Sequence, residues 1–202
     1  MVDDFSGYKP LFTAGITELA CWAHARRKFV DLHKANNSPV AFEAMRRVAE
    51  VYAIEAQIKD GPVEARYTLR QAKAKPKLIE FKTWLDETLP KVAPNSAISK
   101  AIMYSLRRWE ALTRYVESGV APIDNNPVEN CIRPIAIGKK NWLFTGSERA
   151  GQRAAAIQTL LGTAKLNGLE PQAWLTETLE KLPTWPNSRI DELLPLRQLT
   201  EK

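Results

Sequence analysis

The sequence from residue 124 to residue 134 reads Asp124-Asn125-Asn126-Pro127-Val128-Glu129-Asn130-Cys131-Ile132-Arg133-Pro134. Asn126 is a favoured helix N-cap and Pro127 suits the first helical position, so the pattern predicts a short helix that begins here. Glu129 would be its third residue, where a carboxylate can reach back to the backbone N–H of the cap and is favoured by the helix dipole. Arg133, four residues later, could pair with it. These structural roles explain Glu129 without a catalytic one, and local sequence alone favours them.

Composition limits the class of protein to which the 202 residues can belong. Hydrophobic residues make up 45% and charged residues 26%, which is typical of a globular protein. No apolar run approaches the roughly 18 residues of a membrane span, and the N-terminus does not resemble a signal peptide, so we expect a cytoplasmic protein without a membrane partner. Two cysteines do not make a disulfide framework. The net charge of +6 suggests polyanionic partners, although solubility explains it equally well.

Strand character is confined to the first 23 residues. Residues 1–3 could end a strand, and residues 16–22 are predicted to form a second short strand before a helix that starts near Ala23. Residues 36–118 are predicted to form a bundle of antiparallel helices. Ser38 and Pro39 predict one helix start, and Ser96 predicts another.

Two apolar stripes at helical spacing predict which faces of this bundle are buried. The first stripe predicts the inner face of the helix after Pro39, and the second predicts one helix of five turns. The first consists of Phe42, Met45, Ala49, Tyr52 and Ala56, and the second of Ile98, Ile102, Leu106, Trp109, Leu112 and Val116.

The composition changes after Gly119. Ser147 predicts the cap of a long helix that ends at Asn167-Gly168, and a last helix is predicted from Pro171 to about Leu182. The inner face of the long helix is predicted to include Ala150, Ala154, Ile157, Leu161 and Ala164. The predicted organisation is residues 1–35, a helical region at 36–121, a basic segment at 122–168, and a helix with a tail at 169–202.

Several blocks of the chain resemble one known family. The stretch from Asp124 to Pro134, followed by Lys139-Lys140-Asn141-Trp142-Leu143-Phe144, closely resembles the closing segment of DDE transposases of insertion-sequence family sixty-six. The block from Cys21 to Phe29 is similar to that family's Cys-x-x-His block. Residues 164–171 are similar to its C-terminal segment, and Asp3 with Gly7-Tyr8 resembles its Asp-Gly-Tyr strand end. The resemblance covers about residues 1–182.

The resemblance implies an RNase H-like α/β fold, of which this chain would be the C-terminal part, interrupted by a large all-α insertion. The expected fold class is therefore mainly α with a small β component. In such enzymes carboxylates hold two Mg²⁺ ions that promote the cutting and joining of DNA strands. Asp3 matches the family's second acid and Glu129 its third, which implies that both are catalytic metal ligands. Spacing to Gly7-Tyr8 favours Asp3 over Asp4 as the ligand.

The family's first catalytic Asp lies upstream of the second, and this chain begins just before the second. We therefore expect a transposase fragment that is inactive by itself and binds magnesium weakly. The resemblance implies transposon ends and target DNA as partners, with a second copy or a full-length transposase as a further possibility. It also implies a location at the bacterial nucleoid.

Cys21 and His24 allow three interpretations. They could be zinc ligands, but only His33 and Cys131 would remain to complete the site. They could support the nearby active site by joining the strand to the following helix, as the family block implies. They could also be a buried cysteine and a hydrogen-bonded histidine without a further role. The last two interpretations are compatible, and we favour them together.

Cations surround the Glu129 segment. Arg133, Lys139 and Lys140 are interpreted as contacts to DNA phosphates, and Arg149 and Arg153 are candidates for the same role. Arg26, Arg27 and Lys28 could extend this surface. A solvated helix face is the alternative for any such cluster. For the whole chain, the alternatives to a transposase segment are a non-catalytic, basic, helical DNA-binding protein and a helical protein–protein module.

Overall fold

The computed structural model describes residue 1, residue 7, residues 9–138 and residues 145–196. The chain divides into two compact units, unit 1 (Met1–Pro127) and unit 2 (Val128–Lys202). The α-helices are α1 (Lys9–Thr13), α2 (Trp22–Asn36), α3 (Pro39–Gln57), α4 (Val63–Leu69), α5 (Lys75–Thr88), α6 (Ala97–Arg107), α7 (Trp109–Thr113), α8 (Asn126–Gly138), α9 (Glu148–Leu166) and α10 (Pro171–Lys181). A π-helical segment (Arg70–Ala74) joins α4 to α5, and the 3-10 segments are Leu89–Lys91, Arg114–Glu117 and Asn187–Leu193.

The prediction of a mainly α protein is confirmed, because the described residues are predominantly helical. The predicted strand at residues 16–22 is wrong apart from Ala20, which forms an isolated bridge. The N–H of Ala20 donates to the carbonyl of Ala111 at 2.9 Å, and Trp22 already begins α2. The apolar residues here join a helical core instead of a sheet. The predicted strand end at residues 1–3 falls largely outside the described residues.

Unit 1 is built around an aromatic centre. Trp22 on α2 and Phe81 on α5 are almost completely buried, and their ring centroids lie 6.1 Å apart. Trp109 packs against both rings, at 5.8 Å from Trp22 and 5.9 Å from Phe81. The indole N–H of Trp22 also donates to the carbonyl of Leu112 at 2.7 Å, so the largest core side chain has its polar atom satisfied.

The start of α3 confirms the predicted cap, because the Ser38 hydroxyl accepts a hydrogen bond from the N–H of Ala41 and Pro39 opens the helix. The predicted buried face is wrong at three of its five residues, while Met45 and Tyr52 are partly buried against the core. Phe42 is 55% exposed and Ala49 is exposed. The α3 sequence carries two apolar stripes at helical spacing, and the small and branched side chains, not the larger ones, face the core; they are Ala41, Ala44, Val48, Val51 and Ile54.

The predicted five-turn helix is interrupted. The Ser96 cap is confirmed, but α6 ends at Arg107 and Arg108 leaves helical geometry before α7 begins at Trp109. Ile102 and Leu112, on either side of the break, are both buried in the core of unit 1. The apolar stripe was therefore assigned to the correct core, although the backbone that carries it is not one helix.

Unit 2 contains α8, α9, α10 and the last 3-10 segment. The Ser147 cap of α9 is confirmed, as is the helix end, where Gly168 has a φ of +76°. The predicted inner face of α9 is wrong at Ala154, which is exposed, and at Ile157, which is 50% exposed. The other predicted residues are at least half-buried, and Ala164 is fully buried. None of the described helices is long and apolar enough to cross a membrane.

Candidate functional site

The segment that leads to α8 is held by a buried arginine. Arg70 lies in the π-helical segment and is completely buried, and its Nη2 is 2.6 Å from Oε2 of Glu55. Its Nη1 donates to three backbone carbonyls, those of Tyr115, Ser118 and Ala121. These bonds satisfy a charge that would otherwise be costly to bury. They also fix the path of the chain between the last 3-10 segment of unit 1 and Asp124.

Close packing fixes the same segment at Gly119. A Cβ at this position would lie 2.1 Å from the carbonyl oxygen of Val63. Because real carbon–oxygen contacts are much longer, only glycine fits here without a backbone shift.

Asp124 is the centre of a buried hydrogen-bond network. Asp124 is only 7% exposed, and Oδ2 of its carboxylate accepts a hydrogen bond from the hydroxyl of Tyr52 on α3 at 2.8 Å. The backbone N–H of Asn126 donates to Oδ1 at 3.1 Å, and the Asn126 side-chain amide donates to Oδ2 at 2.9 Å. The first residue of α8 is thereby tied to the bundle of unit 1 through backbone and side chain.

Tyr52 is a donor that stays protonated. Burial is the main cause that raises the pKa of Tyr52 above its ordinary range, and the hydrogen bond to Asp124 and the charge of that carboxylate raise it further. The phenol therefore keeps its hydrogen for Asp124 throughout the physiological pH range.

The Cys-x-x-His block meets the same segment from α2. Asn125 donates its backbone N–H to Sγ of Cys21 at 3.5 Å, and the N–H of Trp22 donates to the carbonyl of Ile123 at 3.3 Å. Burial raises the pKa of the Cys21 thiol, which therefore remains a neutral acceptor. His24 is half-buried on the first turn of α2. Cys21 thus supports the residues before α8 structurally.

Glu129 lies in the first turn of α8 and is half-buried. The helix begins at Asn126, one residue earlier than predicted, so Glu129 is its fourth residue and not its third. Asp124, not Asn126, supplies the side-chain oxygen that accepts a backbone N–H at this helix start. The helix continues through Pro134 to Gly138.

A groove of about 590 Å³ lies beside the Asp124 hydrogen-bond network, between α2 and α3. Arg26, Arg27 and Lys34 line it from α2, and Tyr52 and Asn126 lie at its wall. Both arginines are exposed. The groove therefore brings cations close to the residue that begins α8.

The comparisons with known proteins agree with the motifs. Residues 1–153 match the family model described as Transposase IS66 family, and residues 159–196 match the model described as IS66 C-terminal element. The chain belongs to the IS66 transposase family. The resemblance inferred from the sequence blocks is therefore confirmed.

The Sinorhizobium fredii relatives of this IS66 family member are considerably longer than the chain. The chain is 39% identical to the uncharacterized protein y4qI and 35% identical to y4hP, both from Sinorhizobium fredii, over 96% of its own length. It spans 38% of each of those proteins. A 32-residue stretch is 59% identical to the uncharacterized protein YjgZ of Escherichia coli, covering 16% of this chain and 29% of that protein. No solved structure matches the chain.

The residues predicted from the IS66 motifs are only partly within the described ranges. Asp3, Asp4, Lys139 and Lys140 lie outside them. Three of the remaining predicted DNA-contacting cations of unit 2 are exposed: Arg133, Arg149 and Arg153.

The described residues supply one ligand suited to Mg²⁺, not a complete site. Mg²⁺ prefers oxygen ligands, and Glu129 offers a carboxylate. Both oxygens of Asp124 already accept hydrogen bonds, so this acid is a poor candidate ligand. Within the described ranges no group of three or more His, Cys, Asp or Glu side chains could hold a metal ion. The zinc interpretation of Cys21 and His24 therefore has no support from these residues, and Cys131 is an exposed free thiol.

Sequence reasoning missed two residues that hold the segment before α8, Tyr52 and Arg70. Tyr52 was placed on an apolar stripe, and no local pattern reveals that its hydroxyl meets an acid 72 residues away. Arg70 had no recognisable signal, because its partners are backbone carbonyls distant in sequence. Asp124 could have been found, since an Asp two residues before a helix start often accepts the backbone N–H there.

Proposed function

We propose that this chain forms the C-terminal part of the catalytic region of a DNA transposase, with Glu129 as one of its catalytic carboxylates. One observation carries the proposal. The residue that begins the Glu129 helix is held by hydrogen bonds around the buried Asp124, to which Tyr52 and Asn126 donate, within a motif of a transposase family. A catalytic carboxylate must be held in a fixed position. Asn126, three residues before Glu129, is hydrogen-bonded to Asp124 and so fixes the start of the helix that carries Glu129.

The proposed chemistry is strand cutting and joining in DNA. Bound Mg²⁺ would activate the attacking hydroxyl and stabilise the leaving oxygen at the phosphate. Glu129 and Asp3 are proposed as two of its ligands. The role of Asp124 differs, since it orients the helix start and does not touch the substrate. Because the chain spans 38–40% of its S. fredii relatives, these activities are proposed for the complete protein.

The cations are proposed to hold the DNA backbone. Arg26 and Arg27 line the groove that includes Asn126 in its wall, so a phosphate bound there would lie close to the start of α8. Arg133, Arg149 and Arg153 are exposed and available for the same purpose, and Lys139 and Lys140 are proposed with them from the family motif. Such contacts position DNA without reading its sequence.

The decisive test compares two glutamates at helix starts, one half-buried and one exposed. Glu129 and Glu148 both lie in the first turn of a helix of unit 2. In the complete transposase that contains this sequence, Glu129→Gln should abolish transposition of a marked element, because the amide cannot replace a metal-binding carboxylate. Glu148→Gln should leave transposition near the wild-type frequency, since it loses only a small helix-dipole contribution. Transposition is scored by the frequency of marker movement between replicons.

Equal activity of the two variants would remove Glu129 from the catalytic set. Electrophoretic measurement of DNA binding serves as the control for folding, because both variants should bind DNA as the wild type does. Glu129→Asp should restore little activity, since the shortened side chain moves the carboxylate.

A second candidate function is a non-catalytic DNA-binding protein, which the exposed cations of the groove at Arg26 and Arg27 favour. The two functions differ in their requirement for metal. Counterion-driven DNA binding weakens steeply with salt and does not need Mg²⁺. Plasmid cleavage by this chain with Mg²⁺, abolished by Glu129→Gln, would instead show that the chain is catalytically competent by itself.

A further inference from the structure

A second basic cleft lies on unit 1, and apart from Lys28 its lining residues lie outside the family motifs. It has a volume of about 550 Å³ and lies between α2 and α6. Four cations line it: Lys28 from α2, and Lys100, Arg107 and Arg108 from α6 and its end. No carboxylate is among the described residues that line it.

Tyr104 organises two of these cations. The Nζ of Lys28 lies 4.3 Å from the centroid of the Tyr104 ring, and Nη1 of Arg108 donates to the Tyr104 hydroxyl at 2.8 Å. Arg108 also pairs with Glu18, and only 9% of its side chain is exposed. The floor of the cleft is therefore rigid, and the ring face is occupied by Lys28, so it does not offer a surface for stacking a base.

Lys100 and Arg107 form the exposed rim. They are seven residues apart on α6, which places them on the same face about 10.5 Å apart along the helix axis. Neither forms an ion pair with a carboxylate in the described part of the chain. Some other exposed cations of unit 1 are neutralised on their own helices, as Arg46 is by Glu43 and Lys82 is by Asp86.

A concave surface with several cations, and with no acid among the described residues that line it, fits a polyanion. In duplex DNA each strand presents one phosphate per about 3.4 Å of axis, so two cations about 10.5 Å apart can contact phosphates three steps apart. A small anionic ligand would need convergent, buried donors, whereas Lys28, Lys100 and Arg107 are all exposed.

We propose that this α2–α6 cleft binds the phosphate backbone of duplex DNA, as a second contact of the transposase with its substrate. The inference rests on the proposed function in that it takes DNA as the substrate. It adds Lys100 and Arg107 to a DNA-contacting surface that the sequence already extended to Lys28, and gives the helical region between residues 36 and 121 a direct role in holding DNA.

Removal of the two rim cations tests the proposal. The double variant Lys100→Ala/Arg107→Ala should bind a mixed-sequence duplex more weakly than the wild type. The slope of log affinity against log salt should become shallower by about 1.8, or about 0.9 for each phosphate that is no longer neutralised. The loss of affinity should be equal on two unrelated duplexes, because backbone contacts do not read sequence.

The matched control removes two other exposed cations of unit 1. Lys73 and Lys91 lie outside both basic clefts and form no ion pair within the described ranges. Lys73→Ala/Lys91→Ala changes the net charge by the same amount and should change the slope much less. Equal slopes for the two double variants would overturn the proposal and leave only a general effect of net charge.

The outcomes separate this inference from the proposed function. If the Lys100→Ala/Arg107→Ala variant binds DNA with the same affinity and salt slope as the wild type, the cleft does not bind DNA. The catalytic role proposed for Glu129 is unaffected by that result. Loss of transposition in the rim variant, with the binding defect described, would support both. Activity in the Glu129→Gln variant would overturn the catalytic assignment, while the salt slopes would still decide the cleft. Circular dichroism and thermal melting check that the alanine variants are folded.

Discussion

Unit 1 and unit 2 differ most in how they bury apolar side chains. Unit 1 has a continuous core in which Trp22, Phe81, Leu85 and Ile102 are almost inaccessible to water. In the described part of unit 2, only Ala164 and Pro195 are buried. Helix α8 has no buried residue among its thirteen, although it carries an apolar series: Val128 at 59% exposure, Ile132 at 52%, Ile135 at 38% and Ile137 at 65%.

This difference indicates what stabilises the helix that carries Glu129. A helix that buries little apolar surface gains little stability from packing, so α8 depends on what holds its first residue. That residue, Asn126, belongs to unit 1 and is fixed through Asp124 and Tyr52. Mutations in unit 1 should therefore affect folding strongly, whereas equivalent mutations in unit 2 should not.

The largest effect is expected at Arg70. Arg70→Ala leaves the Glu55 carboxylate and three carbonyls of the loop without their donor, which should lower the free energy of unfolding by about 3–5 kcal/mol. Arg46→Ala removes an exposed arginine paired on its own helix and should change stability little. Urea unfolding measures both variants. If Arg70→Ala loses no more stability than Arg46→Ala, the contacts of Arg70 do not hold the segment before α8.

A core leucine and a surface leucine compare the two units directly. Leu85 is completely buried, and Leu85→Ala should cost about 2–5 kcal/mol. Leu166 is 74% exposed, so Leu166→Ala should stay within about 0.5 kcal/mol of the wild type. Hydrogen exchange should show faster opening in unit 1 only for the first variant. Similar losses of stability for both would mean that unit 2 has a core comparable to that of unit 1.

Two glycines should respond in opposite directions. Gly119→Ala introduces a Cβ 2.1 Å from the Val63 carbonyl oxygen and should destabilise unit 1 by about 1–3 kcal/mol. Gly162, inside α9, would have no neighbour within 4 Å of a new Cβ. Gly162→Ala should therefore stabilise α9 by about 0.5–1 kcal/mol, because alanine favours the helix. Thermal melting of both variants gives the two signs.

Tyr52→Phe deletes one hydroxyl and should cost less than the variants at Arg70 and Leu85. Loss of the donor to Asp124 should cost about 1.5 kcal/mol near neutral pH, whereas Tyr67→Phe on the exposed surface of α4 should cost almost nothing. The folded state raises the pKa of Tyr52 above its ordinary value near 10, so this contribution is present below pH 10 and is lost as the pH rises further.

Stability measured between pH 9 and pH 11 follows that linkage. The wild type should lose more stability over this interval than Tyr52→Phe. Tyr115, whose pKa is also raised by burial, contributes equally to both proteins. Parallel curves would show that the Tyr52 hydroxyl does not bind Asp124.

The sequence predicted features that depend on near neighbours. Caps at Ser38, Ser96 and Ser147 were correct, because the cap and its partner are three residues apart. The buried face of α3 was wrong because two stripes compete on one helix, and only the shape of the neighbouring helices selects between them. The break at Arg108 was missed because the apolar stripe continues across it.

For the candidate site as well, the local motifs were predicted from the sequence and the contacts between distant residues were not. The Asp-Asn-Asn motif and the Cys21 block were recognised separately, and the structure brings Cys21 to the backbone of Asn125. The contacts of Arg70 and Tyr52 join residues 45 to 72 positions apart, and a single sequence without neighbours does not contain such pairings. The predicted proximity of Asp3 to Glu129 stays a prediction, because Asp3 lies outside the described residues.

The most direct test of the central claim is where a divalent ion binds. Mn²⁺, which can replace Mg²⁺ at oxygen ligands, broadens the amide resonances of nearby residues in a ¹⁵N-labelled protein. Broadening is expected at Asp3 and at residues 128–131, reversed by excess Mg²⁺ and absent in Glu129→Gln but not in Glu148→Gln. Broadening that spares the start of α8, or that persists unchanged in Glu129→Gln, would contradict the assignment of Glu129 as a catalytic carboxylate.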